Sequence, residues 1–184
     1  RRKRQMCIRD RFYNNACTIK GQKIIKKPIE YLKPEATKAI LSAFVGDTVK
    51  HRRNRMILIL MYDSGCRVQE IADLKVSSLH LDVRNPYMTV IGKGRKTRNV
   101  PLTRKTVLHL KNYLTEFHEE SKDEYLFYSF LDNKPHQLST DSIALILKQA
   151  AKIAKERCAL VPDRVHCHMS VSYTHLTLPT NSLV

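Results

Sequence analysis

The sequence has no tryptophan, and phenylalanine and tyrosine together supply only 7% of its 184 residues. Its core must therefore be built mainly from aliphatic side chains. Acidic residues are also scarce, at 17 against 33 lysines and arginines, for a formal net charge of +16. An imbalance of that sign points to a polyanionic partner, most often nucleic acid, although basic ribosomal and membrane-surface proteins share it. No apolar run approaches the roughly 18 residues of a membrane span, and no signal-peptide pattern is visible. The cysteines are Cys7, Cys17, Cys66, Cys158 and Cys167, an odd number without framework spacing. That argues against a disulfide scaffold and suits a reducing cytoplasm. What is present, 42% hydrophobic residues in a chain of this length, is enough for one domain with a real core.

Both ends differ in style from the middle. Residues 1–11 (RRKRQMCIRDR) have no periodicity that could bury a face, and 170–184 break abruptly from the lysine-rich helical pattern before them. Each resembles a translated sequencing-adapter read, so both are expected to be non-native tails; the other reading is two tails without order. Residues 12–27 are polar and basic and read as a linker, which leaves 28–169 as the folded part.

Within that part, Lys33-Pro34-Glu35 opens a helix whose Ala36, Ala39, Ile40, Ala43 and Phe44 share a face, with Gly46-Asp47 as its end. The basic run Lys50 to Arg55, including Arg52 and Arg53, leads into the apolar helix Met56 to Tyr62. It reads either as a solvated helix start or as a phosphate contact. Ser64-Gly65 then breaks the helix, and a second one restarts with Arg67, Glu70, Ile71 and Leu74 at i, i+3, i+4 and i+7. A charged pair beside core residues must be partly desolvated, and it persists only when its members bond each other or a ligand. Arg67 placed there offers a planar fork of donors suited to phosphate. The same segment also reads as an ordinary helix with an i,i+3 salt bridge.

The period then changes. Leu79 to Val83 is short and apolar, Tyr87 to Ile91 is β-prone, and Thr97 to Leu102 returns as a second strand. This is a hairpin or part of a three-stranded antiparallel sheet. Its turn carries Lys93, Arg95, Lys96 and Arg98, bracketed by Gly92 and Gly94, which let the backbone approach a neighbour closely. The cations serve either phosphate contact or the solubility of a sheet edge. A helix follows from Thr103, Tyr125 to Tyr128 reads as a buried aromatic segment, and Ser139-Thr140-Asp141 caps a helix over Ser142 to Arg157. Cys158, His166, Cys167 and His168 superficially suggest zinc. Three consecutive residues rarely converge on one tetrahedral centre, so no metal is expected.

Taken together, Ser64 to Leu74 (SGCRVQEIADL) resembles the first signature of the tyrosine recombinase, or phage integrase, family, and Ile91 to Leu102 (IGKGRKTRNVPL) resembles its β-hairpin signature, in matching order and separation. Tyr31 to Glu35 is similar to the start of that family's catalytic domain, and His166 to Met169 to the approach to its His-x-x-Arg motif. The resemblance covers roughly Pro28 to Met169. It implies an α+β fold, mainly helical, with a small antiparallel sheet carrying Lys93. It also implies a partner, double-stranded DNA, which Arg95, Lys96, Arg98, Arg52 and Arg53 would contact.

The roles it implies are specific. Arg67 would hold the non-bridging oxygens of the scissile phosphate, and Glu70 would buttress that site by hydrogen bonding rather than react. Lys93 would protonate the leaving 5′ oxygen, and His168 would assist proton transfer. A tyrosine would form a 3′-phosphotyrosine link, which conserves bond energy and requires neither metal nor nucleotide cofactor. The sequence departs from the pattern at Val171, three residues after His168, where the family has arginine, and Tyr173 is too close to His168 to be the nucleophile. The expectation is therefore a fragment that does not cleave DNA by itself. In the family a homotetramer assembles on DNA through its C-terminal segment, so a monomer is expected here. A binding-only module using the same cations, and a structural ribonucleoprotein component, are the competing readings.

Overall fold

The computed structural model describes residues 32–46, 48–118, 124–131, 134–167 and 169. Helix α1 (Pro34–Leu41) starts on a proline, whose missing N–H would have no partner in a first turn anyway. It ends earlier than the sequence suggested. The Ser42 hydroxyl donates to the Lys38 carbonyl at 2.6 Å and competes with continuation of the helix. Ala43 and Phe44 are still buried, but from the loop that follows.

Helix α2 (Val49–Ser64) joins the basic run and the apolar run into one element, capped by the Thr48 hydroxyl, which accepts from the His51 N–H. Met56, Ile57, Leu58, Leu60 and Met61 are all buried although they point in different directions. An apolar run with no polar face belongs in the centre of a fold. Here α2 meets α1 on one side and, on others, helix α4 (Arg104–Phe117) and helix α5 (Thr140–Arg157). Gly65, in the left-handed region at φ 58°, ends α2 with its N–H on the Met61 carbonyl.

A short helix α3 (Val68–Ala72) follows, then strands β1 (Leu79–His80), β2 (Tyr87–Ile91) and β3 (Thr97–Pro101) in one antiparallel sheet of order β1-β2-β3. Met88 and Val90 face the core, with Val100 opposite Met88 and Arg98 opposite Val90. A second hairpin, β4 (Tyr128–Leu131) with β5 (Lys134–Gln137), was not anticipated. Its return strand KPHQ is polar and exposed throughout, so no alternation marked it. Before it, Leu126 and Phe127 are fully buried, and the Leu126 N–H bonds the Leu74 carbonyl at 2.8 Å.

Helix α5 begins two residues earlier than the sequence suggested, with Ser139 as its cap, and buries Ile143, Ile146, Leu147, Ala150, Ala151 and Ala154 as expected. The architecture is mainly helical with small antiparallel sheets, the α+β class expected. Among the described residues no helix is long and apolar enough to cross a membrane.

Candidate active site

The site is organised by the turn between α2 and α3. After Gly65 the chain runs through Cys66, whose side chain is fully buried, to Arg67, in extended conformation at φ −68° and ψ 151°. Arg67 is thus the residue that caps α3, not a member of its helical face, and Leu74 lies beyond the helix end. This corrects the i, i+3, i+4, i+7 reading. The Glu70 carboxylate reaches back to the Arg67 backbone N–H at 2.8 Å, as an acidic residue in the first turn of a helix often does.

Glu70 is the hub. Its side chain is only 3% exposed, and both oxygens are fully engaged. Oε1 accepts from Arg98 Nη1 at 2.6 Å and from Arg67 Nη1 at 3.2 Å, while Oε2 accepts from Arg98 Nη2 at 2.7 Å and from the Arg67 backbone. The bidentate Arg98 bond is the main cause that holds the Glu70 carboxyl down to about 2, with the Arg67 contacts adding to it and burial opposing it. One carboxylate between two guanidiniums leaves a site with net positive charge. Arg67 is 64% exposed, so most of its fork faces solvent from a fixed base.

Arg98 comes from β3. Being opposite Val90, it shares the inward face of the sheet with Val100, and at the sheet's rim that face meets α3. It also approaches the buried Cys66 Sγ at 3.8 Å, and burial pushes that thiol up from its ordinary range. Gly92 sits against the pair. A Cβ there would lie 3.3 Å from Arg98 Nη1 and 3.4 Å from Glu70 Oε1. The turn itself is closed by the Gly92 N–H on the Lys96 carbonyl at 2.8 Å, with Gly94 at φ 77°.

The sequence-derived cations divide into groups. Arg67, Glu70 and Arg98 are brought together, and Arg98, one of the expected DNA contacts, places its fork on Glu70. Arg95 and Lys96 stand exposed on the turn. The Lys93 backbone lies in the same turn, in the 3-10 segment Lys93–Arg95, and its side chain is outside the described residues. Arg52 pairs with Glu116 of α4, and Arg53 donates to the Tyr128 carbonyl of β4 at 2.9 Å and to Asn54. Both therefore tie α2 to its neighbours, and neither shares a partner with the Glu70 cluster. His168 lies outside the described residues.

One basic surface was missed. Lys148, Lys152 and Lys155 of α5, with Arg164 and His166, line a cavity of about 580 Å³, where Lys155 pairs with Asp163. Their i, i+4, i+7 spacing was the available signal.

The sequence model of the phage integrase family matches residues 30–171, most of the chain. The chain belongs to the phage integrase family. Among relatives, it is 32% identical over 141 residues to the tyrosine recombinase XerC of Chlamydia muridarum, covering 76% of this chain and 44% of that protein. It is 29% identical over 137 residues to the tyrosine recombinase XerA of Pyrococcus furiosus, covering 74% of this chain and 46% of that one. This integrase-family chain thus spans less than half the length of both relatives. Its fold is similar to the crystal structure of XerA recombinase, with TM-score 0.64 and 24% identity over 84% of this chain and 51% of that one. It is equally similar to XerH site-specific recombinase bound to its difH substrate, with TM-score 0.64 and 23% identity over 82% of this chain and 43% of that one. These are folds of tyrosine recombinase catalytic domains, and the matched residues 30–171 of this integrase-family member include both the α2–α3 turn and the β2–β3 hairpin described above.

Proposed function

We propose that the chain carries the phosphate-holding half of a site-specific DNA recombinase active site. The observation that carries this reading is the exposed Arg67 fork, held at its base by a buried Glu70 whose two oxygens are both engaged, in a chain of this family. Arg67 holds the non-bridging oxygens of the scissile phosphate and stabilises the added negative charge of the pentavalent transition state. Glu70 orients Arg67 and does not react.

In the complete reaction a tyrosine hydroxyl attacks phosphorus, the bond to the 5′ oxygen breaks, and a 3′-phosphotyrosine forms. Lys93, on the hairpin turn, gives its proton to the departing 5′ oxygen, and His168 assists proton transfer at the phosphate. The partner is double-stranded DNA, contacted by Arg95 and Lys96 on the turn and by the cations of α5, and the whole protein works as a homotetramer on it. This chain acts as a monomer. Residues 28–169 form a partial catalytic domain, preceded by a basic linker over residues 12–27.

The chain as written binds DNA without turnover, because Val171 stands where the second arginine of the motif belongs and residues 170–184 offer no suitable nucleophile. A non-catalytic basic DNA-binding module is the alternative, and it gives Arg67 no role beyond one phosphate contact.

Reversible cleavage of one strand relaxes a supercoiled plasmid, so a plasmid carrying the recombination site of the Chlamydia muridarum XerC reads turnover directly. Replacing residues 170–184 by the corresponding C-terminal segment of the Chlamydia muridarum XerC should give a protein that relaxes plasmid and leaves a covalent protein–DNA adduct on a denaturing gel. The chain as written should do neither. Relaxation by the unaltered chain would overturn the binding-without-turnover half of the proposal, and failure of a folded, DNA-binding chimera would overturn the recombinase half.

A further inference from the structure

We infer that Arg98 is a positioning residue that holds the charge of Glu70 so that Arg67 keeps its own charge for phosphate. The inference rests on the reading of Arg67 given above and adds a residue that touches no phosphate.

The geometry of the hub carries it. Glu70 has one negative charge, and two guanidiniums compete for it. Arg98 takes both oxygens in a fork at 2.6 and 2.7 Å. Arg67 makes one side-chain contact, at 3.2 Å, plus the bond from its backbone. Charge-assisted bonds that are bidentate and short dominate over single longer ones. The carboxylate is therefore neutralised chiefly by Arg98, and among the described residues no other side chain meets the Arg67 guanidinium. When Arg67 turns to an incoming phosphate it can release its long bond to Oε1 without stranding a buried anion, because Arg98 still satisfies both oxygens. Without Arg98 that release would leave a carboxylate that is 3% exposed with only a backbone donor. Glu70 would then claim the Arg67 fork for itself.

The surroundings fit a position built to keep Arg98 in place. It lies on the inward face of β3, opposite Val90, where alternation calls for an apolar residue. Gly92 leaves room for its Nη1, and Cys66 Sγ lies beside its Nη2. Arg98 also joins β3 directly to the residue that caps α3 from within. The hairpin that presents Lys93 and the turn that presents Arg67 are thereby fixed to a single carboxylate.

A structural strut and a charge-holding residue make different forecasts for one double substitution. If Arg98 only anchors the hairpin, removing Glu70's charge as well cannot restore what Arg98→Ala loses. If Arg98 holds the charge, Glu70→Gln in the Arg98→Ala background frees Arg67 again. The probe is inorganic phosphate titrated into the full 184-residue chain, followed through the Arg67 guanidinium Nε–H resonance assigned by its loss in Arg67→Ala.

Arg98→Ala should weaken phosphate binding at Arg67 about fivefold, and the Arg98→Ala/Glu70→Gln protein should return to within about twofold of the unaltered chain. Arg98→Lys, which keeps the charge but loses the fork, should fall between them and carries the test if Arg98→Ala does not fold. Unchanged phosphate binding in Arg98→Ala, or a double variant no better than the single one, overturns the inference and leaves the reading of Arg67 standing. If Arg67 of the unaltered chain shows no response to phosphate, the reading of Arg67 falls and this inference falls with it.

Discussion

Protonating Glu70 should unpin the site, and the structure sets the size and direction of the effect. Glu70 has its carboxyl held at about 2, against 4.5 for the unperturbed group. A group depressed in the folded state stabilises the fold fully above its unfolded value, and that stability is lost as pH falls towards the folded value. The window is therefore pH 4.5 down to about 2. Each pH unit within it is worth at most about 1.4 kcal/mol, so the ceiling over the whole window is roughly 3 kcal/mol. By pH 3 about 2 kcal/mol of that should be gone, and screening at the half-exposed guanidiniums lowers the figure towards roughly 1 kcal/mol.

The assay is urea unfolding at a series of pH values between 7 and 3 for the unaltered chain and for Glu70→Gln. Other carboxylates titrate in both proteins, so the difference between the two stability curves isolates Glu70. That difference should be flat from pH 7 to about 5.5 and then shrink by about 1–2 kcal/mol by pH 3. A difference that stays constant to pH 3 would show that Glu70 is not held by the two arginines.

Other consequences follow from the same cluster. Gly92→Ala places a methyl group 3.3 Å from Arg98 Nη1 and 3.4 Å from Glu70 Oε1, so the pair must shift. The cost should be about 1 kcal/mol in urea unfolding, and it should largely vanish when Glu70→Gln and Arg98→Ala are already present. Cys66 is fully buried with its thiol raised by that burial, so iodoacetamide at pH 8 should leave it unmodified in the native chain while labelling it in urea, as read by mass spectrometry of its peptide. Native labelling of Cys66 at the rate of the half-buried Cys158 would contradict the packing described.

Much of this arrangement was legible in the sequence, and the parts that were not have physical reasons. Gly65 announced the break after α2 because a left-handed cap strongly favours glycine, and Ser139 announced α5 because a hydroxyl can satisfy the first free N–H groups. The β2–β3 hairpin was legible from β-prone runs around a glycine-bracketed turn. Helical spacing misplaced Arg67, because a cap and a first-turn residue have the same sequence offset to Glu70 and only the backbone angles separate them. The role of Arg98 was hidden by counting it among four cations of a turn. Strand alternation held the signal: with Val100 inward, Arg98 two residues earlier must face inward too. Arg52 and Arg53 read as a surface patch, yet long side chains on a central helix reach Glu116 and the Tyr128 carbonyl, contacts that separations of 64 and 75 residues conceal. The β4–β5 hairpin gave no signal, since its return strand is polar, includes Pro135 and buries nothing.

The most direct test of the central claim, that Arg67 holds the reacting phosphate, is plasmid relaxation by the chain completed with the XerC segment, compared with its Arg67→Ala form. Relaxation should fall at least about 100-fold, as expected when a group that stabilises transition-state charge is removed, while filter-binding affinity for random duplex changes by less than about twofold. Relaxation that survives Arg67→Ala, or a loss that merely follows weaker DNA binding, would contradict the account.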